Sequence, residues 1–212
     1  MAGELKLNNV AAPTPAPAAS KQLVYGNTDK YLHSINEAGY DHIQMAAFFS
    51  SNQAGDFTLA NSNAAQSPFA AANDVITLPG ATTYLFELFV QLAGMGGTTR
   101  TTALEFDAGT ASLTSICYDA TIATGAANAI YTVNPTGITA IVATAVVMNA
   151  TVATAAAIIR ARGIVRINVA GTFIPQIKFS ADPTGTLLSK KESFFLMTPL
   201  GTNTVASIGS WA

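Results

Sequence analysis

The stretch "TYLFELFVQLA" covers residues 83–93. Tyr84, Phe86, Leu88, Val90 and Leu92 alternate with Leu85, Glu87, Phe89 and Gln91. Successive side chains of an extended chain point to opposite faces, so this period of two marks a strand with one apolar face. Aromatic and β-branched residues are enriched in it, as strands prefer. The second face is itself half apolar, which predicts partial cover on both sides of the sheet.

The pattern repeats outward from there. "RTTALEFD" (100–107) and "ASLTSICYDATIA" (111–123) read as strands separated by a turn at "DAG". Ile116, Tyr118 and Ile122 share a face with Thr114. "AIIRARGIVRINVAGTFIPQIKFSA" reads as two strands broken near Ala170 and Gly171, and "SFFLMTPLG" and "TVASIGSWA" follow. "GMGGTT" (94–99) reads as a hairpin loop. Pro68, Pro79, Pro135, Pro183 and Pro199 fall mostly at turns or strand ends, where a missing N–H is harmless. No stretch has the period of an amphipathic helix. Roughly eight to ten strands at this spacing predict an all-β fold, an antiparallel β-sandwich of jelly-roll type.

Residues 1–45 differ. Leu5, Leu7 and Val10 are the apolar points of a short lead, and "AAPTPAPAAS" (11–20) reads as a stiff polyproline-type linker. "KQLVY" and "KYLHSI" then flank "GNTD", and "NEAG" precedes "YDHIQMAAFF". These are turn signals between two or three short strands, a unit too small to stand alone. The expected division is an N-terminal attachment arm with a hairpin over 1–45 and a sandwich over 46–212.

Composition limits the function. In 212 residues, charged side chains make up 10%, against about 25% in an ordinary globular protein. Net charge is −2, so nothing drives general binding to nucleic acid or an anionic membrane. There are 39 Ala and 26 Thr, nearly a third of the chain. So weakly charged a surface favours association, and cover by other chains is the economical explanation. A single cysteine, Cys117, rules out an intrachain disulfide. "MAGELKLNNV" has no apolar run and does not read as a signal peptide. Asn149-Ala-Thr151 matches the glycosylation sequon.

Residues 120–159 carry no charge, and 138–159 are long enough to cross a bilayer. That segment is interrupted by Asn149, carries four threonines and lacks Leu and Phe. Its β-branched residues suit strands, so no membrane span is expected.

Chemistry-bearing residues are sparse. His33 and His42, with Asp41, fit no standard ligand spacing, so no metal is expected there. Cys117 reads as a buried structural thiol in mid-strand. "GMGGTT" lacks the lysine and helix of a phosphate loop. Glu105 and Asp107 share one strand face, too few oxygens for a hard cation. No catalytic site and no cofactor are expected. Arg160, Arg162 and Arg166 occupy even positions of one strand, opposite an apolar odd face of Ile159, Ala161, Gly163, Val165, Ile167 and Val169. No acid lies between Asp119 and Asp182. Partners must come from Glu87, Glu105, Asp107 or Asp119 on other strands, or from a neighbouring subunit. The readings are a solvated face, a subunit interface using arginine's planar fork, or, least in keeping with ten basic residues in all, nucleic-acid contact.

"APTPAPAASKQLVYGNTDKYLHSINEAGYDHI" resembles the N-terminal unit of tailed-bacteriophage fibre and virion proteins, at Pro13, Pro15, Leu23, Tyr25, Tyr31, Leu32, Gly39 and Ile43. It departs at Ser20-Lys21, where that family often has glycine. "TTYLFELFVQLAG", "RGIVRINVAGTFIPQ" and "VASIGSWA" resemble the C-terminal domain of phage structural proteins, over roughly residues 80–212. The resemblance implies a virion-located homotrimer with a jelly-roll-like outer domain. An N-terminal anchor (Leu5, Leu7, Val10, Pro13, Pro15, Tyr25, Tyr31) would dock it to the major capsid protein or another virion protein. It carries over no catalytic residues. A capsid decoration protein or short head fibre is the leading expectation. The alternative is a tail fibre whose loops "GMGGTT", "NAIYTVNPTG" and "ADPTGT" touch the host surface.

Overall fold

The structure, a computed structural model, describes residues 51–203 except 53, 72–73, 108, 126–131 and 135–144. Of 132–134 and of the chain before residue 51 it describes strand backbone only.

Two fourteen-residue strands set the architecture. The first, β8 (Thr82–Met95), buries Tyr84, Phe86, Leu88, Val90 and Leu92 and leaves the residues between them half-buried. The second, β13 (Ala156–Val169), buries Ile159, Ala161, Val165 and Ile167 and turns Arg160, Arg162 and Ile164 outward. Both follow the alternation expected of a half-covered strand. Val169 departs from it and is 54% exposed. The strand ends there and the chain turns toward the other sheet at Ala170.

Eight strands build the sandwich. Beside β8 and β13 they are β7 (Ile76–Leu78), β9 (Thr102–Asp107), β10 (Ser112–Gly125), β11 (Thr132–Asn134), β12 (Val146–Val147) and β14 (Gly171–Phe179). One sheet runs β11-β10-β13-β8 and the other β12-β9-β14-β7. The antiparallel pairs β7·β14, β8·β13, β9·β12 and β10·β11 join first strand to last, second to next-to-last, and so inward. Together they form one two-stranded ribbon folded back on itself, which is a jelly roll.

Both strands of the ribbon turn the same corner together. Residues 79–81 lie against 168–170, with the Ala81 amide donating to the Asn168 carbonyl at 3.1 Å. A side chain on Gly80 would start 2.7 Å from the Ala170 nitrogen, so glycine is required there. Ala81 takes a left-handed φ of 49° to complete the bend. The break near Ala170 and Gly171 therefore passes the chain between layers.

Four more strands widen the first sheet. β16 (Phe194–Thr202) pairs with β8 from Thr82 to Phe89, and β15 (Gly185–Ser189) pairs with β8 from Leu92 to Met95. β5 (Phe48–Ser51) adds to β16, and β6 (Phe57–Thr58) adds to β15. Pro199 lies within β16, not at its end, but β5 pairs with β16 only as far as Met197. The missing N–H therefore breaks no ladder with β5. Between the layers sits an aromatic cluster: Phe86, Tyr118 and Phe195 from one sheet, Phe106 and Phe173 from the other. Phe106 stacks on Phe173 at 5.3 Å and meets Phe86 edge-on at 5.0 Å. Such geometries add a little beyond area burial.

The N-terminal strands β1 (Asn9–Val10), β2 (Leu23–Asn27), β3 (Leu32–Ile35) and β4 (Asp41–Ile43) make a separate four-stranded sheet. β2, β3 and β4 are antiparallel neighbours with Leu23 opposite Ile35, so "GNTD" and "NEAG" separate strands as the turn chemistry predicts. Val10 lies in β1 and Tyr25 in β2, whereas Leu5, Leu7, Pro13, Pro15 and Tyr31 lie outside the described residues. In the charge-free stretch the described strands are parts of β10 and β13 and the whole of β11 and β12. Among the described residues no helix is long and apolar enough to cross a membrane.

Candidate functional site

The outer face of the β10-β13-β8-β16 sheet is chemically layered, and strand register decides the layers. One row runs Thr121, Arg160, Phe89, Phe194. The next runs Asp119, Arg162, Glu87, Leu196. Below them lie Cys117, Ile164, Leu85 and Thr198, then a row with Arg166 beside Thr83. The three arginines share a face because they are two and four residues apart on β13.

Each upper row is tied together within the chain. The Arg160 guanidinium lies over the Phe89 ring at 5.5 Å, and Phe89 stacks on Phe194 at 5.8 Å with 18° between ring planes. The Arg162 Nε reaches the Glu87 Oε1 at 3.4 Å. Glu87 is thus an acid supplied from another strand, as the sequence required. Asp119 flanks Arg162 on the opposite side in register. Among the described residues no carboxylate pairs with Arg160 or Arg166. A shallow depression of about 360 Å³ opens over the two upper rows, between Arg160, Arg162, Asp119, Glu87, Phe89 and Phe194. Arg166 lies outside it.

Cys117 corrects the expectation of a buried thiol, because it is exposed. Ile116 and Tyr118 turn inward, so strand alternation sends the residue between them outward. "GMGGTT" is likewise not a hairpin loop. It joins β8 in one sheet to β9 in the other, and these strands do not pair. Its anchor is Arg100, a residue that the sequence pattern did not single out. That side chain is 1% exposed. Its guanidinium donates to the carbonyls of Thr98 at 2.5 Å, Thr154 at 2.9 Å and Gly96 at 3.4 Å, and lies 5.6 Å from the Phe179 ring centre. Burial lowers its pKa, and among the described residues the Nε has no partner. A loop arginine beside glycines carries no periodic signal that would have marked it.

Other candidates separate in space. Glu105 and Asp107 sit on β9, in the opposite sheet, and Asp107 accepts from the Gly109 amide at 2.7 Å to shape the turn. Asn149 is buried, with its Oδ1 accepting the Thr102 amide at 2.7 Å. The sequon is therefore a structural asparagine in this fold, not an accessible glycan acceptor. The side chains of Asp41, His33 and His42 lie outside the described residues. Among the described residues no three His, Cys, Asp or Glu side chains gather as a metal site would need. No family model, no curated protein and no solved structure matches the chain.

Proposed function

We propose that this chain is a structural component of a phage virion, a capsid decoration protein or short head fibre. Residues 1–45 dock it to the major capsid protein or another virion protein, and the sandwich is displayed outward as a homotrimer. The observation that carries this reading is the pairing of a jelly-roll sandwich with a separate N-terminal strand unit behind a proline-rich linker. The sequence resemblance adds the virion setting. A chain with only 10% charged residues suits a protein held in an assembly. Arg166, exposed to solvent in part and without a carboxylate among the described residues, is the arginine best placed for a cross-subunit ion pair.

The test is a pair of measurements on the full chain and on a chain lacking residues 1–20. Light scattering should give a mass near three times 21.8 kDa for the full chain and near three times its own smaller chain mass for the truncated one. Only the full chain should bind particles stripped of it. A truncated chain that still decorates particles would sink the docking role, and a monomeric mass would sink the trimer. A second reading, a tail fibre or receptor-binding protein, is favoured by the lined depression on the outer face. Copy number per particle separates the two: many for decoration, few for a fibre.

A further inference from the structure

We propose that the end of the outer face carrying Arg166 is where a second copy of this chain sits, with Asp119 of one copy paired to Arg166 of the next. The proposal rests on the homotrimer reading and names its contact.

Apolar exposure is concentrated at this end. Among the described residues five large apolar side chains are exposed, and three of them, Ile164, Val169 and Leu200, belong to β13 and β16. Leu200 lies between Pro199 and Gly201, which pair with Tyr84 and Thr83, and Arg166 pairs with Thr83 from the other side. Leu200 and Arg166 therefore share a level of the sheet. Ile164 stands two residues along β13 from Arg166, in a row with Cys117 and Leu85, and Val169 ends the strand. The other two, Val75 and Val147, adjoin β7 and lie in β12, at opposite edges of the second sheet. Apolar residues scattered singly need no cover, whereas a gathered patch marks an interaction surface.

Charge indicates what covers the patch. Arg162 is engaged by Glu87, and Arg160 lies over the Phe89 ring. Arg166 and the exposed Asp119 remain, and neither has an ion pair among the described residues. Within one chain they are too far apart to meet. Arg166 is opposite Ser115, and Asp119 lies four residues further along β10, about 13 Å away. An unpaired acid and an unpaired arginine on one face make that face complementary to a copy of itself. Arginine's planar fork suits such a pair. Other acids fit less well: Asp107 already accepts from the Gly109 amide, and it lies with Glu105 in the opposite sheet. A contact between opposite faces of a sandwich would stack copies into an open fibre, whereas two patches on one face let a ring close. The depression extends from Asp119 toward Arg160 and Phe89, away from Arg166.

The experiment is charge reversal in the full chain, read by light scattering and by the rate at which Cys117 reacts with a maleimide. Asp119→Arg and Arg166→Asp should each raise the dissociation constant at least about a hundredfold, because like charges then face each other across the contact. The double variant exchanges the charges and should recover the parent mass, which also shows that neither substitution prevents folding. Lys178→Glu, in the other sheet, should leave the mass unchanged. Cys117, in the row between the two charges, should react more slowly in the parent oligomer than in either single variant. An oligomer that persists in both single variants, or whose Cys117 reacts freely, would overturn this contact and leave the homotrimer to another surface. A double variant that stays dissociated would overturn the pairing of Asp119 with Arg166. A monomeric parent would overturn the homotrimer and this contact with it, and protection of Cys117 only on particles would then assign the patch to another virion protein.

Discussion

Polar groups occur on both sides of the β10-β13-β8 sheet, and the two sides treat them differently. Inside the sandwich, Tyr84 and Tyr118 are almost fully buried, and near its rim Arg100 is closed off from water among backbone carbonyls. On the outer face, Arg160, Arg162 and Glu87 meet an aromatic ring or each other while still in contact with solvent. A buried polar group without its partner bears a full desolvation penalty, whereas an exposed one falls back on water. The inner set should therefore govern stability, and the outer set is free to serve recognition.

Arg100 offers the strongest test of that contrast. Arg100→Met keeps length and apolar contact with Phe179 but removes every donor to Gly96, Thr98 and Thr154. We expect a loss of about 3 kcal/mol, the scale of several charge-assisted bonds removed with their acceptors left buried. Urea unfolding would show it as a lower midpoint at an unchanged slope. A variant as stable as the parent would mean that the buried cation is no better than neutral, as is known for some buried ion pairs.

The buried tyrosines make the inner face sensitive to alkali. Burial, with the Glu105 carboxylate adding to it, pushes Tyr118 up to about 12 from 10.0, and burial also raises Tyr84. A phenol harder to ionise in the folded state holds its proton after the unfolded chain has lost it. Stability from these groups is therefore intact below pH 10.0 and falls as pH rises from there toward about 12. Melting temperature followed across that interval should decline, and Tyr118→Phe should decline less steeply. Equal slopes for the two proteins would show that Tyr118 does not titrate differently on folding.

Legibility in the sequence follows the same division. Period two in "TYLFELFVQLA" and around Arg160 located the long strands and assigned the faces of β8 and of most of β13, because alternation is a property of the strand alone. It also implied that Cys117 points outward, since Ile116 and Tyr118 point in; treating cysteine as a usual core residue hid that. What alternation does not encode is which strand pairs with which. The rows that bring Asp119, Arg162 and Glu87 together, or Arg160, Phe89 and Phe194, depend on register between strands distant in sequence. The hairpin reading of "GMGGTT" failed for the same reason, as a Gly-rich loop looks alike whether it reverses a strand or crosses between sheets.

On the outer face smaller effects are expected. Arg160→Gln removes the cation over Phe89 but keeps a polar side chain at a solvated position. Its cost should be about 0.5–1 kcal/mol, the range for an exposed cation–π contact. A loss comparable with that of Arg100→Met would mean that Arg160 is buried in the assembled protein, and would favour a subunit contact over an open face.

Glu87→Gln is the mildest of the series and separates stability from recognition most cleanly. The Arg162 and Glu87 side chains are 64% and 44% exposed, and their contact is one long Nε–Oε1 approach of 3.4 Å. Exposed pairs of this kind contribute about 0–1 kcal/mol and less in salt. The change in unfolding free energy should therefore fall within about 0.5 kcal/mol and shrink as salt is added. The same substitution makes the lining of the depression net positive. An anion should therefore bind this face better than it binds the parent's. Unchanged stability with stronger anion binding would show that this ion pair sets the chemistry of the face and not the strength of the fold.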